Sequence, residues 1–307
     1  MRAHVIVATT GRSKEVGALA DFLARQTLRA STTIVIGAQA SDVEGLAAQA
    51  AQLDYPIETI VSDRAGLPIQ RNIGLAKLKV LIGADSLQDG HAVIFFDDDF
   101  RPAREWLESA VSVFVENKEI VGLTGSVLAD GVKRQTVSEA EAVQYLNGEK
   151  RPHDHWASGG EARDVNSVYG CNMAFRGAVV GKCVFDERLP LYAWQEDRDF
   201  TGQALRFGRV IYTPKCRGVH LGVKGARSNG VRLGYSQIAN PIYLAKKGTM
   251  ENRIMLRFVM RAIASNHYGA ILRRTHPGDF SGRLKGNYYA LFDLLRRQCR
   301  PEKILEL

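Results

Sequence analysis

The stretch Ala92-Val93-Ile94-Phe95-Phe96-Asp97-Asp98-Asp99-Phe100 runs an apolar segment straight into three consecutive carboxylates. The apolar part has the length of one buried strand. Three adjacent negative charges inside a buried strand would carry a large desolvation penalty. Asp97, Asp98 and Asp99 therefore belong at the strand's carboxyl end, in solvent or facing cations. In open α/β sheets that edge is where ligands bind. A divalent cation bridging to a diphosphate is the chemistry that suits such a triad best. On spacing alone an acidic loop, or a set of caps for the helix that follows, fits equally well.

Four further regions carry polar groups suited to holding a ligand. Thr9-Thr10-Gly11-Arg12 ends a first apolar run. Ser62-Asp63-Arg64-Ala65-Gly66 ends a third, followed by Gln70-Arg71-Asn72-Ile73-Gly74. Gly170-Cys171-Asn172-Met173-Ala174-Phe175-Arg176 and Trp194-Gln195-Glu196-Asp197-Arg198-Asp199-Phe200 come later.

The elements that must position these groups alternate. Residues 4–8, 33–37, 57–61, 92–96 and 120–125 read as strands. Val16, Leu19, Phe22 and Leu23 recur at helical spacing, as do Val43, Leu46, Ala47, Ala50 and Leu53. Leu107, Ala110, Val111, Phe114 and Val115 form another stripe, and 68–82 reads as a helix with Pro68 in its first turn. Repeated strand-helix-strand units imply an α/β fold, a doubly wound and mostly parallel sheet with helices on both faces. Residues 126–165 are polar and read as a long loop with one helix over 138–146; His153 and His155 read as loop residues. Residues 168–176 and 210–213 read as strands, and 199–207 and 288–297 as helices. Ile254, Met255, Phe258, Val259, Ala262 and Ile263 make an apolar helical face beside Arg253, Arg257 and Arg261.

In order and spacing these segments resemble the family 2 glycosyltransferases of the GT-A fold, which use nucleotide-sugar donors. The family's D-x-D element matches Asp97-Asp98-Asp99 and its R-N-x-G element matches Arg71-Asn72-Ile73-Gly74. Its G-x-N-x-x-F-R element matches Gly170 through Arg176, and its E-D element matches Glu196-Asp197. The likeness implies a GT-A catalytic domain over 1–222, followed by a basic loop and helical extension over 223–307. It implies that Thr9 and Arg12 hold the nucleoside, although Ala8 and Gly11 stand where the family usually has proline and asparagine. Asp63 would bind the base, Arg71 the base pocket or a phosphate, and Asp97 the ribose. Asp99 would bind Mn²⁺ or Mg²⁺ bridging the diphosphate, with Asp98 sharing either task.

In that chemistry the cation neutralises the departing diphosphate, and a carboxylate takes the proton from the acceptor hydroxyl. Asp197 is the expected base, kept ionised by the start of a helix near Asp199, and Glu196 the partner for sugar hydroxyls. The plainer reading makes both residues helix caps. Single displacement implies inversion at the anomeric carbon. Asn172 either binds the donor sugar or satisfies a turn, and Trp194 either stacks on a sugar or fills a core. His220 is either an additional metal ligand or structural. Arg217, Lys224, Arg227 and Arg232 read as a basic loop able to close on the diphosphate. A UDP-sugar is the default donor, and the acceptor a saccharide or lipid-linked saccharide of cell-surface polysaccharide or glycoconjugate synthesis.

Composition narrows the setting. The 307 residues are 45% hydrophobic and 24% charged, as in an ordinary globular protein. Cys171, Cys183, Cys216 and Cys299 show no C-x-x-C pair and no zinc spacing, which fits reduced thiols in the cytoplasm. The net charge of +8 is uneven. Residues 214–307 hold 18 Lys and Arg against 5 Asp and Glu, and the first 213 hold 23 against 28. A basic helical tail suits peripheral attachment to an anionic membrane face, here the inner face, or simple packing with its arginines in solvent. Two rivals differ in kind. A sugar nucleotidyltransferase would carry a glycine-rich basic loop after the first strand, which Thr9-Thr10-Gly11-Arg12-Ser13 lacks. A nucleic-acid-binding protein would use the tail but leave the aspartates without a role, and no nucleic-acid motif is present.

Overall fold

The computed structural model describes residues 1–83, 87–132, 135–223, 230–272 and 279–307. In chain order the elements are β1 (Arg2–Thr9), α1 (Ser13–Ala24), β2 (Thr32–Gly37), α2 (Leu46–Gln52), β3 (Glu58–Val61), α3 (Leu67–Ile82), β4 (His91–Asp97) and β5 (Phe100–Pro102). Then come α4 (Trp106–Glu116), β6 (Ile120–Asp130), α5 (Glu139–Leu146), β7 (Arg163–Asp164), β8 (Asn172–Arg176), α6 (Gly177–Val180), α7 (Glu196–Ala204) and β9 (Arg209–His220). Three long helices follow: α8 (Gly230–Lys247), α9 (Asn252–Leu272) and α10 (Phe280–Leu295).

Two compact units emerge. The first holds Met1–Ala65, Ile69–Val184 and Gln203–Gly225; the second holds Gly66–Pro68, Phe185–Gly202 and Ala226–Leu307. The segment carrying Trp194, Glu196 and Asp197 thus groups with the C-terminal helices, whereas a single cut after residue 222 puts it with the sheet.

The described strands of the first unit form one mixed sheet, ordered β3-β2-β1-β4-β8-β6-β9-β5, with β7 on β9. β1 is parallel to β2 and β4, and β2 to β3. β8 runs antiparallel to both β4 and β6, and β9 parallel to β6. The parallel half matches expectation; β8, antiparallel to both neighbours, and β5 and β7, antiparallel to β9, make the sheet mixed. From β1 the chain adds β2 and β3 on one side, then returns to add β4 on the other. That reversal is the topological switch point, and it opens a crevice at the carboxyl ends of β1 and β4. Ala8 pairs with Asp97 there.

β4 is a continuous apolar run because both its faces are covered. Val93, Ile94 and Phe95 are fully buried, and Phe96 meets Trp106 edge-on and stacks on Phe100. Gly74 of α3 has no room for a side chain: a Cβ would lie 2.6 Å from Ile6 Cγ2 and 2.8 Å from Ile36 Cδ1. The glycine of the R-N-x-G element therefore lets α3 press directly on β1 and β2, which sets where Arg71 emerges.

Several elements differ from their sequence reading for physical reasons. β6 continues through 126–130, where a loop is expected, because Ser126 and Asp130 are buried polar positions that break the apolar pattern. β9 extends to His220 across Pro214, with a register shift between Gly125 and Ser126 that absorbs the irregularity. β5 is too short to show a period. α2 starts only after Gly45, whose φ of 76° interrupts the stripe that includes Val43. α7 begins at Glu196 and α10 at Phe280, both earlier than expected. Arg217 lies within β9 and Arg232 within α8 rather than in a loop; Lys224 and Arg227 lie outside the described residues.

In the second unit α8, α9 and α10 close around Tyr235, Ile238, Ala239, Val259 and Ala290. α8 and α10 touch backbone to backbone, since a Cβ on Gly286 would sit 2.0 Å from the Val231 carbonyl oxygen. The buried amides there are matched: Asn266 donates to Asn287, which donates to the Gly234 carbonyl.

Gly74→Val should overpack the α3 contact and destabilise the protein by about 1–3 kcal/mol. Denaturant unfolding checks this; an unchanged midpoint would show that the close approach is not required.

Candidate active site

The turn after β4 is the centre of the crevice. Asp97 closes the strand, Asp98 and Asp99 form the turn, and Phe100 starts β5. Asp98 points inward. It accepts hydrogen bonds from Thr9 Oγ1 at 2.8 Å and Arg12 Nη1 at 2.9 Å, and its main-chain oxygen accepts from Arg101 Nη1. Burial and the adjacent Asp99 push its carboxyl upward, with Arg12 and Thr9 opposing. Arg12 also reaches the Val223 carbonyl at 2.7 Å. Asp99 accepts from Val223 N through its carboxylate and from Leu221 N through its carbonyl. Together these bonds fasten the end of β9 to the acidic turn.

Arg101, wholly buried, is the support beneath. It makes a two-point bond to Glu139 of α5 and donates to the carbonyls of Asp98, Phe100 and Glu15. Arg71 is 1% exposed. Its Nη2 donates to Asp97 Oδ1 at 3.0 Å and to the Gly170 carbonyl at 3.0 Å. So Arg71 orients Asp97 and ties it to the start of β8.

Asp97 and Asp99 turn their other oxygens toward His220. His220 Nε2 lies 3.2 Å from Asp99 Oδ1 and 4.0 Å from Asp97 Oδ2. One ligand atom from each of the three residues falls within 4.8 Å of the others. His220 Nδ1 is 3.3 Å from Asp130 Oδ1. Burial alone would lower the imidazole pKa; Cys171, Asp99 and Asp130 outweigh it and raise it well above the ordinary value. Burial likewise opposes ionisation of Asp99 and Asp130, but the contact to His220 pulls Asp99 down, and the contacts to His155 and His220 pull Asp130 down. Negative charge is thus concentrated beside one imidazole.

This donor set suits a divalent cation. Two carboxylates and an imidazole match Mn²⁺ or Mg²⁺ better than a soft metal. Asp99 Oδ1 is buried with no aligned hydrogen bond despite the nearby imidazole, leaving its lone pairs for an ion. Asp130 on Nδ1 is the outer-shell carboxylate that fixes a metal-binding histidine's orientation. Tyr169 donates to the other Asp130 oxygen at 2.9 Å, and His155 Nε2 lies 3.4 Å from it.

The remaining sequence candidates of the first unit divide clearly. Asp63 is exposed at the end of β3, with Arg64 at 3.9 Å. Asn172 is fully buried, and its side-chain oxygen accepts from Thr124 Oγ1 and Gly125 N. That geometry satisfies β6 and commits its oxygen internally. Thr9, Arg12 and Asp98 are likewise engaged with one another. Arg101, Glu139, Asp130 and Tyr169 escape sequence reasoning, because their partners are tens of residues away and no local motif marks them.

Glu196, Asp197 and Trp194 belong to the second unit. Glu196 is buried and Asp197 half-buried in the first turn of α7, where the helix dipole favours negative charge. Asp197 Oδ1 accepts from Arg198 N at 2.8 Å. Trp194 meets Phe258 edge-on, and the Arg198 guanidinium lies over the same ring. Further along α7, Asp199 accepts from Lys247 Nζ and Thr249 Oγ1, anchoring the helix. The backbone leading into the acidic pair is unusual. Leu191, Ala193 and Gln195 have φ of 59°, 50° and 77°. Each such non-glycine conformation costs on the order of 1–2 kcal/mol, and such strain gathers at functional sites.

With this geometry in view, comparison with known proteins identifies the scaffold. The chain covers 90% of its length on S. aureus TarS at a TM-score of 0.56 and 15% identity, spanning 45% of that chain. TarS 1-349 in complex with UDP-GlcNAc matches over 89% of this chain and 74% of that one, with a TM-score of 0.54 and 16% identity. GalNAc-T7 with UDP, GalNAc and Mn²⁺ matches over the full chain and 56% of its own, with a TM-score of 0.55 and 13% identity. The fold is GT-A. In sequence, 106 residues are 29% identical to the glucosyl-dolichyl phosphate glucuronosyltransferase of Haloferax volcanii, covering 34% of this chain and 31% of that protein. The chain thus spans about a third of that relative and under half of the S. aureus TarS chain it matches. No family model matches.

The left-handed backbone gives a test of the loop. Gln195→Asn and Gln195→Val both shorten the side chain that accepts from Arg198, but only valine resists positive φ. The valine variant should be less stable than the asparagine variant by roughly 1–2 kcal/mol in denaturant unfolding. Equal stabilities would mean that the strained conformation is not held in solution.

Proposed function

We infer that this chain is a glycosyltransferase that moves a sugar from a nucleotide-diphosphate donor to an acceptor hydroxyl, with inversion and with a divalent cation. The observation that carries the reading is the meeting of Asp97, Asp99 and His220 at the switch-point crevice of a GT-A fold. Relatives captured with UDP, UDP-GlcNAc, GalNAc and Mn²⁺ support the donor class.

Asp97, Asp99 and His220 would hold Mn²⁺ or Mg²⁺, which when bound supplies positive charge to the leaving diphosphate. Arg71 keeps Asp97 turned to the crevice, and Asp130 keeps His220 Nε2 directed at Asp99. Asp98 stays with Thr9 and Arg12, so its task is to shape the turn. Asp63, exposed at the end of β3, is suited to a donor base. Asp197 is assigned as the general base, its carboxylate favoured by the α7 N-terminus. Glu196 beside it is assigned to a sugar hydroxyl and Trp194 to the acceptor. A lipid-linked saccharide is the acceptor class favoured by the resemblance to a dolichyl phosphate enzyme.

The exposed face of α9 supports association with an anionic membrane. Ile254, Met255, Ala262 and Ile263 pack into the second unit's core, so the stripe seen in the sequence is structural. A second set, Leu256, Met260, Ile271 and Leu272, is more than half exposed. Arg253, Arg257 and Arg261 flank it, also exposed. Apolar side chains among arginines suit the interface of an acidic bilayer. Among the described residues no helix is long and apolar enough to cross a membrane.

A thermal-shift screen of nucleotides and nucleotide-sugars, with and without Mn²⁺, tests the central reading. At least one UDP or GDP species should raise Tm further with Mn²⁺ than without, and Asp99→Ala should abolish that increment. Absence of any nucleotide shift would overturn the assignment. With a stabilising donor in hand, Asp197→Asn should lower turnover by roughly 10²–10⁴-fold, and wild-type rates would remove Asp197 as the base.

Liposome flotation tests the α9 face. Vesicles containing phosphatidylglycerol should carry the protein at low salt, and Leu256→Ser with Met260→Ser should release it. Equal recovery by the wild type and the double variant would reject this face.

A further inference from the structure

Trp156 is 47% exposed, although the loop that carries it is firmly held. Val127 N of β6 donates to the Ala157 carbonyl at 2.8 Å, and Ala157 is fully buried. Ser158 Oγ donates to the His155 carbonyl, and Arg163 donates to the carbonyl of Trp156 itself. The Arg163 guanidinium in turn lies 4.0 Å from the centre of the Tyr212 ring. An indole that a fixed loop holds in water is a prepared surface rather than a frayed end.

Behind it stands an aromatic series. The Trp156 ring centre is 5.7 Å from that of Tyr169, and His155 stacks on Tyr169 at 5.3 Å. Tyr169 meets His220 edge-on at 5.7 Å. Two ring contacts, Trp156–Tyr169 and Tyr169–His220, therefore join Trp156 to the Asp97–Asp99–His220 cluster. Tyr169 is fixed by its bond to Asp130, so the series is rigid.

Sheet order says which side this is. The acidic turn ends β4. The ends of β1 and β3, with Asp63, lie to one side of it; β6 and β9, which hold the Trp156 loop and His220, lie to the other. A donor whose base sits toward β3 and whose diphosphate meets the cation leaves the Trp156 side for what lies beyond the phosphates.

We propose that Trp156, backed by Tyr169 and His155, is a stacking platform for a pyranose ring of the acceptor saccharide. The axial C–H groups of a pyranose carry slight positive charge and fit the electron-rich face of an indole. Rigid Trp side chains are frequent anchors of binding. The proposal rests on the glycosyltransferase reading for the word acceptor, but the platform is separately testable.

The 307-residue chain, with UDP and Mn²⁺ present, is titrated with cellobiose, maltose, mannobiose and N,N′-diacetylchitobiose. Saturation-transfer NMR and indole fluorescence read binding. At least one disaccharide should bind through its C–H face and perturb the fluorescence. Trp156→Ala should weaken it by roughly tenfold or more, while Trp156→Phe keeps it within about threefold, as expected for an anchor residue. Circular dichroism confirms folding, and the UDP–Mn²⁺ thermal shift should persist in Trp156→Ala. Undiminished sugar binding in Trp156→Ala overturns the proposal, as does the absence of any sugar signal in the wild type. Loss of the UDP shift in folded Trp156→Ala also overturns it, by giving the ring to the nucleotide. If UDP has no effect on the wild type while a disaccharide still binds through Trp156, the platform stands and the transferase reading fails.

Discussion

Three consecutive carboxylates in one turn, two of them buried, are the constraint around which the first unit is arranged. Such a turn can be folded only if positive charge and hydrogen-bond donors come to it. They come from four separate places: Arg12 after β1, Arg71 from α3, Arg101 from β5 and His220 from β9. Each contact also fixes a piece of chain. Arg12 brings in the segment after β9, Arg71 the start of β8, and Arg101 the helix α5 through Glu139. Satisfying the acidic turn and assembling the crevice are therefore one event.

The same constraint sorts the aspartates. Asp98 is saturated by Thr9 and Arg12 and serves the fold. Asp97 keeps one oxygen on Arg71, and Asp99 keeps one on Val223 N, while their other oxygens face His220. Three identical side chains in a row thus acquire different tasks from the donors that reach them.

The sequence reveals much of this and hides the rest for definite reasons. β1, β2 and β4 are legible because strands covered on both faces must be unbroken apolar runs. The acidic turn is legible because charge cannot continue that run. The continuations of β6 past residue 125 and of β9 past residue 213 are not, because Ser126 and Asp130 are buried polar residues, Pro214 interrupts β9 and the pairing slips. Arg12 and Asp98 read individually as ligand contacts; that they bind each other is a fact of tertiary structure, at a sequence separation of 86. His155 is a loop residue, as read, but it lies beside Asp130 through a contact no spacing rule could anticipate. The arginine-flanked stripe of α9 has the right period, but tertiary packing decides that the stripe turns inward and that Leu256 and Met260 turn outward.

The left-handed residues before Glu196 and Asp197 bear on the mechanics of the second unit. Flexible connections usually carry glycine, which crosses freely between positive and negative φ. Leu191, Ala193 and Gln195 hold positive φ without that freedom. Bending there would require several coordinated backbone rotations against side-chain sterics. The segment therefore keeps this path only while its surroundings over-determine it, and the position of the acidic pair depends on those surroundings.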